Sequence, residues 1–351
     1  MEMSASTVPA ARDFLSSRGL HRAAMLTTYA IDNKHLAVLE TGHDAAAIAR
    51  SVWIDLLNPT PQEEALVQAA LQVEIPTREE MQEIESSSRL YREDDALFLT
   101  ASFLYGVEVS ELGSTNITFV LTNTALVTVR YATPKAFGMF SARAARSPAL
   151  LASADGVMLG LFEQVVDRLA DILERVGADM DRASHGAFES GRTQKKAKQR
   201  DADLKTALIT LGEVGEVTAR TSETLLGLSR ILTFIGAEKA AAIRKENQHR
   251  IKILARDVRS LIEHARYLND KATFALDAVL GIINIEQNAI IKTFTVASVA
   301  LMPPTLIASI YGMNFADMPE LKWALGYPFA LLLMVAGAVL PVLYFKRKGW
   351  L

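Results

Sequence analysis

Two uncharged apolar runs lie close together near the C-terminal end of the chain, Thr293 to Ile310 and Trp323 to Phe345. Each is about long enough to cross a hydrocarbon core of roughly 30 Å at 1.5 Å per residue. A soluble domain can bury such a run as a core helix, but this length without a charge is the signature of a membrane span. The loop between them, residues 311–322, is too short for anything but a helical hairpin, so both chain ends fall on one side. Lys346, Arg347 and Lys348 follow the second run and Lys292 precedes the first, whereas the loop sets only Lys322 against Asp317 and Glu320. That asymmetry marks the termini as cytoplasmic, and Trp323 and Tyr327 at one end with Tyr344 and Trp350 at the other fit interfacial aromatic belts. The protein is expected to be multi-pass, with residues 1 to about 290 forming a cytoplasmic body.

Composition narrows the function classes. The 351 residues suggest about two domains. A formal net charge of −3 argues against a nucleic-acid partner. There is no cysteine, so disulfides and thiolate metal sites are excluded. The six histidines, at 21, 35, 43, 185, 249 and 264, include no i, i+4 pair for a helical zinc site. No G-x-x-x-x-G-K-[ST] loop points to a nucleotide, no nucleophile–base pair points to an enzyme, and the N-terminus lacks the apolar stretch of a secretory signal.

Within the body, residues 1–24 read as a flexible tail and 25–135 as an α/β domain. Ser51 to Leu56 and Ala96 to Tyr105 read as strands; Asn58-Pro59-Thr60-Pro61 punctuates before a helix over Gln62 to Gln72. Asn116 to Leu121 and Ala125 to Arg130 flank a hairpin signal at Thr122-Asn123-Thr124. Residues 136–236 read as a helical hairpin region: Phe162, Val165, Val166, Leu169, Ile172, Leu173 and Val176 share one face, Leu204, Leu208 and Leu211 repeat the pattern, and so do Leu225, Leu228, Ile231 and Leu232. Between these helices lies a basic run, Gly191 to Arg200, read as a solvated tip. After Gly236 helical spacing continues without proline to Pro303, about 65 residues or roughly 100 Å. This predicts a stalk helix over 237–292 that passes directly into a first span at 293–312, a loop at 313–322, a second span at 323–345 and a basic end at 346–351.

At alternating steps of four and three, the stalk reads Asp277, Gly281, Asn284, Asn288, Ile291, Thr295, Ser298, Met302, Thr305, Ser309 and Gly312. This is one face of a heptad seam, with a carboxylate, two amides and four hydroxyls. Polar groups at membrane depth face protein or a water-filled cavity. One hairpin cannot enclose a cavity, so the chain must oligomerise about an axis. The stripe then becomes stacked polar rings, with Ile291 and Met302 as hydrophobic constrictions able to gate by dewetting. At the end of the stripe Tyr311-Gly312-Met313-Asn314-Phe315 presents a carboxamide where an ion would enter. A small divalent cation keeps its waters tightly, so neutral oxygens at Asn314, Thr305 and Asn288 suit recognition of a hydrated ion. Asp317 and Glu320 would concentrate cations at the mouth, and the membrane potential supplies the energy of uptake.

Tyr311-Gly312-Met313-Asn314, with Asn284-Ile285-Glu286-Gln287-Asn288 before it and Met318-Pro319-Glu320-Leu321 and Tyr344 to Leu351 after it, closely resembles the CorA family of magnesium channels, in particular its enterobacterial branch. The resemblance begins near Met25. It implies a homopentameric bacterial inner-membrane channel with a cytoplasmic funnel, Asn314 binding hydrated Mg²⁺ at the periplasmic mouth, and pore positions at Asp277, Asn288, Met302 and Thr305. It also implies regulation by intracellular Mg²⁺ at acidic subunit interfaces, for which Glu79, Glu80, Glu83, Glu85 and Asp257 are the candidates; Glu80, Glu83 and Asp257 are carried forward as the regulatory set. Lys346, Arg347 and Lys348 resemble the family's basic ring around the inner end of the pore. The chain departs from the family at Ile291 and Phe294, where some members have Met and Leu, and in its basic tip, which is commonly acidic. Co²⁺ and Ni²⁺ are the secondary cargo that the resemblance implies. Two other readings stand beside it: zinc transport, as in a related branch, and a membrane-anchored scaffold that transports nothing.

Overall fold

The computed structural model describes residues 25–32, 35–40, 45–108, 111–192, 197–238, 243–314, 323 and 325–350. The elements in chain order are β1 (Met25–Asp32), β2 (His35–Glu40), α1 (Ala45–Ala49), β3 (Trp53–Leu57), α2 (Pro61–Leu71), α3 (Ser86–Arg89), β4 (Leu90–Glu93), β5 (Ala96–Tyr105), β6 (Gly113–Leu121), β7 (Leu126–Arg130), α4 (Lys135–Arg146), α5 (Ala154–Arg192), α6 (Ala197–Ala237), α7 (Gln248–Tyr311) and α8 (Gly326–Arg347). They form two compact units. One comprises the described residues up to Gly177 with Glu216–Asn269, and the other Ala178–Gly215 with Asp270–Leu351. The basic run straddles the end of α5 and the start of α6, and its residues 193–196 lie outside the described residues, as do the tail and most of the loop between the apolar runs.

The first unit is built on a seven-stranded sheet ordered β2-β1-β3-β7-β6-β5-β4. All neighbours are antiparallel except β3 and β7, which pair in parallel. Those two strands are the apolar runs Trp-Ile-Asp-Leu-Leu and Leu-Val-Thr-Val-Arg, buried at all five positions, as strands covered on both faces must be. Their two charges meet each other. Arg130 donates from Nε and Nη2 to the two Asp55 oxygens at 2.9 and 2.7 Å, and Thr128 donates to Asp55 Oδ1 at 2.8 Å. The Trp53 indole N–H in turn donates to Thr128. A buried pair is tolerated only when its remaining hydrogen-bonding capacity is met, and here a hydroxyl and the Ala132 carbonyl meet it.

The expected strands at 96–105, 116–121 and 125–130 correspond to β5, β6 and β7, with β6 beginning three residues earlier. The Thr122 hydroxyl closes the β6–β7 turn by accepting from the Thr124 and Ala125 amides. Thr60 and Glu63 cap α2 reciprocally, with Pro61 at its first turn. On α5 all seven residues of the expected apolar face are buried, and Phe162 packs edge-on against Phe119 of the sheet at 4.9 Å.

One expectation is corrected. The helix foreseen from residue 237 starts at Gln248 instead, after α6 has run on to Ala237 and a short turn at Lys245–Asn247 has intervened. A tertiary contact holds the segment that leads into α7: the buried Asp155 carboxylate accepts from the Arg244 amide at 2.8 Å and from the Asn247 carboxamide at 2.7 Å. Just beyond, Arg250 grips Glu163 of α5 through two 3.0 Å bonds. From there α7 runs 64 residues and continues through Pro303 and Pro304.

In the second unit α7 and α8 run antiparallel. Pro303 of α7 packs against Gly337, where an added Cβ would sit 3.0 Å from the Pro303 ring. Further along, Lys292 lies 6.0 Å from the Trp350 ring. The apolar stretches of both helices are almost wholly uncovered: only 6% of each 18-residue window is buried. A soluble core helix would be hidden; these need lipid or neighbouring chains around them.

Candidate ion-conduction site

All the stripe residues lie on α7 or immediately after it. Asp277, Asn284, Asn288, Ser298, Thr305 and Ser309 are exposed and Thr295 is half-buried; Ile291 and Met302 are 60% and 68% exposed. An isolated helical hairpin therefore offers this face to something outside itself. The hydroxyls have a particular orientation. Thr295 donates to the Ile291 carbonyl, Thr305 to Leu301 and Ser309 to Thr305, each at 2.8 Å. A hydroxyl has one proton and two lone pairs. With the proton given to the preceding turn, the oxygen that remains is an acceptor. That is the polarity required to receive hydrogen bonds from the water shell of a cation.

The helix end reinforces that polarity. Gly312 donates to Ala308 at 2.9 Å and Met313 to Ile310 at 3.3 Å, so the last turn tightens and stops at the Gly-Met-Asn sequence. The final carbonyls of a helix have no partner within it, and together they carry about half a negative charge. Asn314 follows at this end with its side chain exposed. Carbonyls, carboxamide and dipole all favour a cation here without the trapping strength of a carboxylate cage. Asp317 and Glu320, assigned to the mouth, lie outside the described residues.

At the opposite end of the hairpin Lys346 and Arg347 close α8 and Lys348 caps it, all exposed. The Lys348 ammonium lies 6.0 Å from the Tyr344 ring. With Lys292 near Trp350, four cations collect at this end.

The regulatory candidates occupy two separate elements. Glu80 accepts from the amide and hydroxyl of Thr77 at 2.8 and 3.0 Å, a reciprocal cap on the turn Glu80–Gln82. Glu83 follows that turn and is exposed. Asp257 is half-exposed on α7, with Arg256 3.8 Å away. Among the described residues no three His, Cys, Asp or Glu side chains of one chain cluster to hold a metal. Sequence reasoning passed over Asp155. Burial alone would raise its pKa, but hydrogen bonds from Asn247, Ser153 and the Arg244 and Gly156 amides hold it below the usual aspartate value. An aspartate beside small residues at a helix start was the only signal available for it.

Comparison with known proteins bears on what the chain does. The family model described as CorA-like Mg²⁺ transporter protein matches residues 49–347. The chain is 35% identical over 327 residues to the magnesium transport protein CorA of Escherichia coli K12, covering 93% of this chain and all of that one. In fold it is similar to the complete CorA magnesium transporter from Methanocaldococcus jannaschii, with a TM-score of 0.67 at 18% identity over 93% of this chain and 98% of that one. It is also similar to full-length CmaX, with a TM-score of 0.65 at 14% identity over 95% and 100%.

Proposed function

The chain belongs to the CorA-like Mg²⁺ transporter family, and on that premise we propose that it is a channel for Mg²⁺ uptake whose conduction path is the exposed polar stripe of α7. The observation that carries this reading is the row of hydroxyl oxygens turned outward as acceptors on an otherwise membrane-length helix. Copies of the chain, five by analogy with the family, surround an axis so that Asn314 forms a ring at the periplasmic mouth. Hydrated Mg²⁺ meets that ring first, then Ser309, Thr305, Ser298 and Thr295, and then the Asn288, Asn284 and Asp277 rings. Ile291 and Met302 supply the apolar constrictions.

The chain lies in a bacterial inner membrane with both termini cytoplasmic, so Lys346, Arg347 and Lys348 surround the inner end of the path. Intracellular Mg²⁺ between copies, at Glu80, Glu83 and Asp257, holds the path shut, and its loss opens it. Co²⁺ and Ni²⁺, which share octahedral hydration, are the secondary cargo.

The test is Mg²⁺ influx into proteoliposomes that hold an internal indicator, under an inside-negative potential, for wild type and Asn314→Ala. Loss of one oriented carboxamide per subunit is expected to abolish influx while the assembly keeps its size. Equal influx in both proteins would take Asn314 out of the path. Absence of Mg²⁺ influx in wild type at low internal Mg²⁺, with Zn²⁺ influx in the same vesicles, would replace magnesium by zinc.

A further inference from the structure

The face of α7 opposite the stripe carries a cavity of about 650 Å³. Its walls are Ile282, Ile285, Ala289 and Phe294 of α7 with Phe188 of α5, and Arg200 of α6 stands at its polar side. At about 100° per residue, Ala289 and Thr293 lie roughly 140° and 180° around the helix from Asn284. If the stripe faces the axis, the cavity faces away from it. Its depth is set by the sequence: it spans the last turns before the uncharged run and includes Thr293 and Phe294, the first residues of that run. It thus lies at the boundary between headgroups and acyl chains. The Arg200 guanidinium reaches Glu286 at 2.6 Å, which neutralises the carboxylate nearest the span. A guanidinium has five N–H donors, more than one carboxylate takes. In sequence, residues 192–200 carry five cations, Arg200 among them, and no anion, and Lys292 adds another on α7.

An apolar hollow with a cationic rim, at the cytoplasmic depth of the bilayer, matches a phospholipid with an anionic headgroup: acyl chain against Ile285, Ala289 and Phe294, phosphate toward Arg200. We propose that this cavity binds an anionic phospholipid of the inner leaflet. The proposal rests on the two-span reading and on the stripe facing inward.

The experiment uses the full-length assembly, extracted in detergent with an equimolar mixture of phosphatidylglycerol and phosphatidylcholine, and counts retained lipids by native mass spectrometry. Ala289→Trp fills the hollow without touching a charge. Wild type is expected to retain phosphatidylglycerol several-fold over phosphatidylcholine, and Ala289→Trp to lose that excess with the oligomer intact. Equal retention of the two lipids by wild type, or an undiminished excess in Ala289→Trp, would overturn the proposal. The absence of native cysteine allows a second arm. Ile285→Cys in phosphatidylglycerol nanodiscs should not cross-link between copies, whereas an efficient cross-link would give the cavity to a neighbouring chain. Mg²⁺ influx by the same preparations separates the failures: a proposal lost while influx persists leaves the channel standing.

Discussion

Asp155 shows how one side chain sets where a 64-residue helix begins. Its carboxylate is 2% exposed and gathers donors from Arg244 and Asn247, just before α7 begins. Although burial opposes the charge, the hydrogen bonds outweigh it and depress the folded-state pKa. The sign follows. Above the unfolded-state pKa both states are ionised, and the hydrogen bonds to the charged form contribute in full. As pH falls, the unfolded chain takes up its proton first, and the contribution is lost through the folded-state pKa. Asp155→Asn removes the charge at every pH. Its melting temperature should therefore fall furthest below wild type at neutral pH, by the equivalent of about 1–3 kcal/mol, and the gap should narrow as acid enters the carboxylate range. A gap that stays constant with pH would show that the ionised form is not what holds the turn. Hydrogen exchange at residues 243–250 should rise in the variant if the loss is local.

At the scale of elements, the contact between α7 and α8 turns on absence of a side chain. Gly337 brings its backbone against Pro303, and even a methyl group there would stand 3.0 Å from the ring. Helices in a bilayer gain little from burying apolar surface, so such close approach is a main source of their packing. Gly337→Ala should be tolerated with a small loss of thermal stability. Gly337→Leu should cost about 1–3 kcal/mol from overpacking and reduce the assembled fraction on size exclusion; unchanged assembly with Leu would mean the pair is held elsewhere. None of this was legible in the sequence, since Gly337 and Pro303 lie in separate apolar runs that look alike throughout. Strands β5 and β7 were legible because their apolar runs are bounded by turn residues. β1 and β2 were not, being mixed in polarity, with Thr27 and Thr28 of β1 buried among apolar neighbours. The stripe could be read from its four-three steps alone, because a heptad seam needs only sequence. The outward acceptor polarity of its hydroxyls needed coordinates, and so did the cavity behind it, which is assembled from three distant segments.

For the whole molecule, the balance of terms concerns what drives the ion. A single hairpin with an exposed polar stripe and exposed apolar flanks satisfies neither water nor lipid, so a ring of copies is the arrangement that serves both faces. The sequence carries no phosphate-binding loop motif, and in the proposed channel the path is lined chiefly by neutral oxygens, with one carboxylate ring at Asp277. Motion along it is then governed by concentration and potential. One charge gains about 2.3 kcal/mol per 100 mV and a divalent ion about 4.6, which at 1.4 kcal/mol per decade is an accumulation of about three orders of magnitude. Proteoliposomes with equal, low Mg²⁺ on both sides and a potassium diffusion potential isolate this term. Mg²⁺ should enter at an inside-negative potential near 100 mV, stay level at zero, and leave when the sign is reversed, with no dependence on added nucleotide. Net influx at zero potential would require a coupled ion or another energy source, and Asp277 is the one stripe residue whose charge could couple it. A potential dependence weaker than two charges would mean that the ion crosses with an anion or a proton exchanged, and Asp277, the only stripe residue that can change protonation, would be the first position to replace.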